Sequence, residues 1–142
     1  MTFAFLSDAD IDQIVCLQES CFPDGWDKRM LIDGLNSGNL LGITAKQNGE
    51  LCGFVTYSVN SDFAEINDIL VSPKNRKQGL GKHLLQRLED NIKTQTQKIF
   101  LEVRESNFPA INLYKRQGFI QASIRKKYYQ DGENALVMYK EL

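Results

Sequence analysis

The chain has 142 residues, 42% of them hydrophobic and 25% charged, with a formal net charge of -1. That is the balance of one globular domain with a real core and no room for a second, and the near-neutral charge argues against broad nucleic-acid binding. No apolar run approaches the roughly 20 residues needed to cross a bilayer, and the N-terminus reaches Asp8 and Asp10 without a leader-like apolar core, so neither membrane nor export is expected. Cys16, Cys21 and Cys52 are an odd number at no metal-ligand spacing, with His83 the only imidazole, so the expectation is no disulfide framework, no metal site and a reducing cytoplasm.

In chain order, Phe3, Phe5 and Leu6 read as a first strand, and Ser7 caps a helix carrying Ile11, Ile14 and Val15. Phe22-Pro23-Asp24-Gly25 ends that helix. Asp27 opens a second one bearing Met30, Leu31 and Leu35, closed near Gly38. Residues 40–45 and 51–59 are strand-like runs joined by Asn48-Gly49, a strong hairpin signal. The run 66–71 is a further strand, interrupted by Ser72-Pro73, after which Leu80, Leu84, Leu85, Leu88 and Ile92 recur at helical spacing. Residues 98–103 form the next strand, with Ile99, Leu101 and Val103 on one face and Phe100, Glu102 and Arg104 on the other. Ser106 or Asn107 caps a helix that tolerates Pro109 in its first turn and ends at Gly118. Runs 119–125 and 136–139 are the last strands, with Gln130-Asp131-Gly132 at the bend. The order β-α-α-β-β-β-α-β-α-β-β is that of an α/β chain with a central mixed sheet flanked by helices, and the strand-helix-strand unit around 66–103 implies one parallel pair.

The turn between the central strand and its helix is the chemically richest stretch. In Arg76-Lys77-Gln78-Gly79-Leu80-Gly81-Lys82, two glycines allow close backbone approach where the unpaired N–H groups of a helix start, and Lys74 adds a further positive charge with no acid among them. Phosphate is the natural guest. It is not a nucleotide P-loop, since His83 follows Gly81-Lys82 where Ser or Thr is needed, nor a dinucleotide fingerprint, since Leu84 stands where a third glycine should. Taken singly, Glu102 reads as a solvated strand carboxylate and Tyr114, three residues after Ile111, as a core aromatic. His83 reads as a solvated helix residue, and Trp26 equally as a packing residue or the lip of a groove. Of Tyr128 and Tyr129, read as adjacent strand residues, one at most lines a groove.

The spelling Arg-x-x-Gly-x-Gly at Arg76, Gly79 and Gly81 resembles the GNAT superfamily of acetyl-CoA-dependent N-acetyltransferases. Leu101-Glu102-Val103-Arg104-Glu105-Ser106-Asn107, Leu113-Tyr114-Lys115-Arg116-Gln117-Gly118-Phe119 and Ile124-Arg125-Lys126-Lys127-Tyr128-Tyr129 are similar to its later motifs, in particular those of the RimI-type ribosomal-protein-alanine N-acetyltransferases. The likeness covers most of the chain and is weakest before the hairpin, where the family's adjacent Pro-Trp is spaced out as Pro23-Asp24-Gly25-Trp26. The resemblance implies acetyl-CoA as acetyl donor, held at Arg76, Lys77, Gln78, Gly79, Leu80, Gly81 and Lys82, along the backbone of Ile69, Leu70 and Val71, and at Asn107. It implies Glu102 as the base for the acceptor amine and Tyr114 as the acid for the CoA sulfur, in direct transfer to a protein N-terminus, specifically an alanine of a ribosomal protein. An α-amine, with a pKa of about 8 against roughly 10.4 for lysine, is the easier nucleophile to deprotonate. Small amines or lysines as acceptors, or a non-catalytic acyl-CoA sensor, are the competing readings, and the sensor has no need of Glu102 and Tyr114.

Overall fold

The computed structural model describes residues 1–21 and 25–142. In chain order the elements are β1 (Thr2–Phe5), α1 (Ile11–Cys21), α2 (Lys28–Ser37), β2 (Leu41–Gln47), β3 (Glu50–Val59), β4 (Ala64–Val71), α3 (Leu80–Ile92), β5 (Lys98–Arg104), α4 (Phe108–Arg116), β6 (Ile120–Arg125) and β7 (Ala135–Glu141), with single 3-10 turns at Asp8–Asp10 and Pro73–Asn75. The strands form one sheet of seven in the order β1-β2-β3-β4-β5-β7-β6. Every neighbouring pair is antiparallel except β4 and β5, which α3 connects as a crossover. The element order and the single parallel pair are those expected from the sequence.

Local chemistry accounts for the boundaries. The Asp27 carboxylate accepts from the Met30 N–H at 2.9 Å to start α2, and Gly38, left-handed at φ 79°, ends it. Asn48 and Gly49 have φ of 53° and 78°, the two positive values that a tight β2–β3 hairpin turn requires. The Ser7 N–H donates to Asp10 Oδ2 at 2.9 Å, and the same Asp10 is ion-paired with Lys46 of β2, which fixes the entry to α1 against the sheet.

Two clusters make the core. Leu84, Leu85, Leu88 and Ile92 of α3, with Ile111 of α4, are buried against Val55, Ile66, Ile99, Leu101 and Met138 on one face of the sheet. Each such leucine stabilises the fold by about 2 kcal/mol relative to exposure. On the other face, Ile11, Ile14 and Leu31 of α1 and α2 pack with Leu40, Phe54 and Leu70. This second cluster takes no residue from β5, β6 or β7 among the described residues, so Phe100, Glu102, Val137 and Tyr139 on that face remain only half-buried.

Several boundaries differ from expectation. Leu6, Leu40 and Phe119 lie just outside the strands assigned to them, yet all three are buried, because apolar residues at strand ends seek the core whether or not the ladder continues. Met30 is 47% exposed: the buried face of α2 carries Leu31 and Gly34, one position further on. The terminator expected at Phe22-Pro23-Asp24-Gly25 falls largely on 22–24, outside the described residues, and α1 runs to Cys21.

Candidate active site

The site begins with a register irregularity. Along β4, Ile66 pairs with Tyr57 and Asp68 with the adjacent Thr56, so Asn67 is an extra residue bulged out of the β3–β4 ladder. A bulge bends its strand and increases the local twist. Pairing between β4 and β5 covers only Ala64, Glu65 and Ile66 against Ile99, Phe100 and Leu101, and stops at this bulge. Beyond it β4 stays with β3 as far as Val71, while β5 stays with β7 as far as Arg104. The two parallel strands therefore diverge, each with a backbone edge that no strand covers, and an uncovered edge is a template for an extended ligand. Ile69, Leu70 and Val71 form the β4 side of this wedge, each half-buried.

The 76–82 turn lies where β4 hands over to α3. Lys77 and Gly79 have φ of 62° and 79°, and Gly79 is the N-cap of α3 with no side chain capping the helix. Among the described residues, nothing accepts from the N–H groups of Leu80, Gly81 and Lys82 outside the helix's own ladder, so these donors and the helix dipole face outward. Arg76, Lys77, Gln78 and Lys82 are exposed. The Leu80 side chain is buried in the core, which leaves its backbone as the part a ligand can meet. Arg76 also donates from Nε to the Val71 carbonyl at 3.1 Å, tying the turn to the end of β4. Asn75, a residue the sequence reading passed over, is buried next to the turn, and its Oδ1 has no hydrogen-bond partner among the described residues. Donors, cations and an uncovered strand edge suit a ligand with phosphates at one end and a long extended arm.

Two residues of this turn have further partners. Lys74 is ion-paired with Glu50, so the local positive charge comes from Arg76, Lys77 and Lys82. Gly81 also packs on α4: a Cβ there would stand 3.0 Å from Leu113 Cδ2, so a larger residue requires the Leu113 side chain to give way by a few tenths of an ångström, a constraint separate from ligand approach. At Gly79 a Cβ would meet nothing closer than His83 Cδ2 at 3.8 Å, and its requirement is the left-handed φ.

The remaining groups border the wedge from β5 and α4. The Glu102 side chain, 17% exposed, takes the Arg125 guanidinium at 3.2 Å, and its nearness raises the Tyr128 hydroxyl above the ordinary phenol value. Tyr114 sits on α4, which is capped by the Asn107 oxygen accepting from the Ala110 N–H at 3.3 Å, so Asn107 has a structural duty besides the expected one. The Tyr114 ring packs 5.7 Å from that of Phe119 and is 5% exposed. Burial pushes its hydroxyl well above the ordinary phenol value, with Asp68 and Tyr129 adding to the shift, so it holds its proton at any physiological pH. Tyr114 is thus both the core aromatic and a proton-bearing group near the wedge.

Tyr128 and Tyr129 do not alternate on a strand, because β6 ends at Arg125 and both lie in the turn to β7. Their rings meet edge to face at 5.1 Å. Arg104 lies over the Tyr129 ring at 4.1 Å and reaches Asp131 and Glu133 at 2.8 Å each. Glu65, on β4 beside Phe100, was also missed: burial raises its carboxyl and Glu102 raises it further, against the opposing pull of Arg125. The strand expected from the sequence began at Ile66, whereas β4 begins at Ala64 and so includes Glu65. Trp26 is half-buried against the α1–α2 cluster, and His83 is exposed as expected. No three His, Cys, Asp or Glu among the described residues are arranged to hold a metal ion.

The profile of the acetyltransferase (GNAT) family matches residues 11–119. The ribosomal protein bS18-alanine N-acetyltransferase of Escherichia coli strain K12 is 34% identical over 142 residues, covering 96% of this chain and 95% of that one. The crystal structure of the Escherichia coli ribosomal-protein-S18-alanine N-acetyltransferase superposes with a TM-score of 0.89 at 32% identity, over 99% of this chain and 92% of that one. An N-alpha-acetyltransferase of Sulfurisphaera tokodaii is 29% identical over 143 residues, 91% of this chain and 86% of that one. Arabidopsis thaliana NAA60 in complex with acetyl-CoA shares the fold, with a TM-score of 0.86 at 20% identity over 99% of each chain. A profile spanning most of the chain, and an enzyme that matches it nearly end to end in sequence and in fold, establish that this chain belongs to the acetyltransferase (GNAT) family and is an acyltransferase.

Proposed function

We propose that residues 1–142 form one N-acetyltransferase domain that transfers acetyl from acetyl-CoA directly to a protein N-terminal α-amine, the acceptor being the N-terminal alanine of a small-subunit ribosomal protein in the cytoplasm. The observation that carries this reading is the β4–β5 wedge, with phosphate donors at its mouth and Glu102 and Tyr114 at its sides. The relatives' names, one for ribosomal protein bS18-alanine and one for N-alpha acetylation, support the acceptor class.

Acetyl-CoA, when bound, supplies the activated acetyl thioester. The backbone of Arg76, Lys77, Gln78, Gly79, Leu80, Gly81 and Lys82, with the three cations, binds its phosphates. The β4 edge at Ile69, Leu70 and Val71 takes the extended arm as a strand would, and Asn107 contacts the same ligand at the α4 start. Glu102 accepts the proton of the acceptor ammonium, directly or through water, and an α-amine near pKa 8 asks less of a carboxylate than lysine does. Tyr114, kept protonated by burial, supplies the proton for the leaving sulfur.

The test compares CoA thiol release with Ala-initiated peptides, N-terminally blocked lysine peptides and small amines, alongside mass spectrometry of ribosomal-protein N-termini with and without the protein. Ala-initiated peptides should react fastest, and one ribosomal N-terminus should lose its acetyl group without the protein. Equal or faster reaction of lysines or small amines would overturn the acceptor assignment and leave the family standing.

A further inference from the structure

The sheet has two open edges, β1 and β6, and they are built differently. Strand β6 carries an extra residue, Ala122, bulged out of its ladder with β7, and it runs through Arg125 into Lys126 and Lys127, so a bulge and three cations obstruct pairing with another strand. Strand β1, Thr2-Phe3-Ala4-Phe5, has no charge, no proline and no break in its register with β2. The Leu6 N–H donates to the Gly42 carbonyl at 2.9 Å, and the alternation of an antiparallel ladder then turns the backbone groups of Ala4 toward β2 and those of Phe3 and Phe5 toward the open edge. Phe3 packs on the α3-side cluster with the Arg87 guanidinium 4.0 Å over its ring, whereas Phe5, on the same face, is 67% exposed. Helix α3 lies over β2, β3 and β4, which leaves beside it a groove of about 310 Å³ floored by Phe3, Phe5 and Ile43 and walled by Arg87, Asp90 and Asn91.

We infer that β1 is the docking edge for a second copy of this chain, joined antiparallel across a twofold axis that stands at right angles to the sheet and passes between the two Ala4 residues. In that register Phe3 of each copy lies opposite Phe5 of the other. Both residues turn their N–H and carbonyl to the edge, so the two pairs exchange four backbone hydrogen bonds, while the Ala4 pair at the axis makes none across it. Such an axis keeps each face of the sheet on its own side, so all four rings meet on the α3 side, where the exposed Phe5 covers the partner's Phe3 and fills the groove beside it. Each groove wall carries one cation and one anion, Arg87 and Asp90, so the two copies meet without a surplus of like charge. Two four-residue strands make a contact smaller than the roughly 1,200 Å² of stable complexes, so the dimer is a micromolar one that dissociates on dilution.

The experiment uses the untagged full chain in sedimentation velocity across roughly 1 μM to 1 mM, with hydrogen exchange at both ends of that range. We expect a monomer–dimer equilibrium within it, with the Phe3 and Phe5 amides exchanging about fivefold more slowly at the top, while the Ala4 amide, already turned to β2, is unchanged. Phe5→Lys and Phe5→Ser, each with the circular dichroism spectrum of the wild type, should weaken association by about tenfold or more, and Ile120→Lys on the opposite edge should leave it unchanged. A chain that stays monomeric across the range overturns the inference, as does a dimer that survives both Phe5 variants or is lost in Ile120→Lys instead. Protection of the Phe3 and Phe5 amides only after a ribosomal protein is added assigns the edge to another partner and overturns it too. The acetyltransferase reading stands or falls separately, because β1 lies three strands away from β4 and the wedge stays open in both copies.

Discussion

The two halves of the sheet are built to different standards. Strands β2 to β4 are covered on both faces, by α3 on one and by α1 and α2 on the other, with Phe54, Val55, Ile43 and Ala45 essentially inaccessible. Strands β5 to β7 share the α3–α4 core on one face and leave Phe100, Glu102, Val137 and Tyr139 half-buried on the other, while every residue of edge strand β6 is exposed. The Asn67 bulge lies at the seam between them. Burial is concentrated around the β4 edge proposed to hold the ligand, and the half proposed to meet an acceptor is left open, at the cost of burial energy. Substitutions should therefore separate into those that cost stability and those that cost turnover.

The sharpest break of that contrast should come from the doubly covered side. Leu84→Ala removes a fully buried side chain between α3 and the sheet and should lower unfolding free energy by about 3 kcal/mol in urea titration, a large share of a typical 5–15 kcal/mol. At the buried α4 position, Tyr114→Phe, which removes one hydroxyl and keeps the ring, should keep the melting temperature and acetyl-CoA affinity close to those of the wild type while turnover falls about 100-fold, roughly 2.7 kcal/mol of barrier. Retained turnover, measured together with calorimetric binding, would return Tyr114 to a packing role. Glu102→Gln should depress activity chiefly near neutral pH and recover in part as rising pH deprotonates the acceptor amine without help; a rate deficit constant from pH 7 to pH 10 would refute the base role.

Smaller effects sharpen the picture at the turn. Because Gly81 is packed on Leu113, Gly81→Val should destabilise the fold whether or not acetyl-CoA is present, so it cannot test binding. Lys77→Gly is the cleaner probe: glycine relieves the φ of 62°, leaving stability unchanged or up to about 1 kcal/mol higher, while acetyl-CoA affinity falls a fewfold by calorimetry. The smallest effect is at the β6–β7 turn. Hydrogen bonds from the Glu133 N–H and Arg104 hold the Asp131 carboxyl below 3.8, and those from Ser106 and Arg104 hold Glu133 below 4.5. Depressed carboxyl values stabilise the fold above the ordinary values, and this is lost as pH falls through the depressed ones. Hydrogen exchange at the Glu133 and Ser106 amides should accelerate selectively in that acid window, relative to amides in β3.

Local signals explain how much of this could be read in advance. The caps at Asp27 and Gly38, the Asn48-Gly49 turn, the α3 stripe and the glycine turn at 79–81 act over a few residues of chain, so element order and the position of the glycine turn were legible in the sequence. The roles proposed for Glu102 and Tyr114 came through family resemblance, since neither residue type distinguishes catalysis from packing by itself. What only the tertiary structure decided depends on registers between distant segments: the Asn67 bulge that parts β4 from β5, the pairing of Lys74 with Glu50, the close contact of Leu113 with Gly81, the turn that brings Tyr128 and Tyr129 ring to ring, and the placing of Glu65 near Glu102. Periodicity tells which face a side chain occupies. Which partner stands opposite is set by ladder register, and that follows from the sum of core contacts along the whole sheet rather than from any one stretch of sequence.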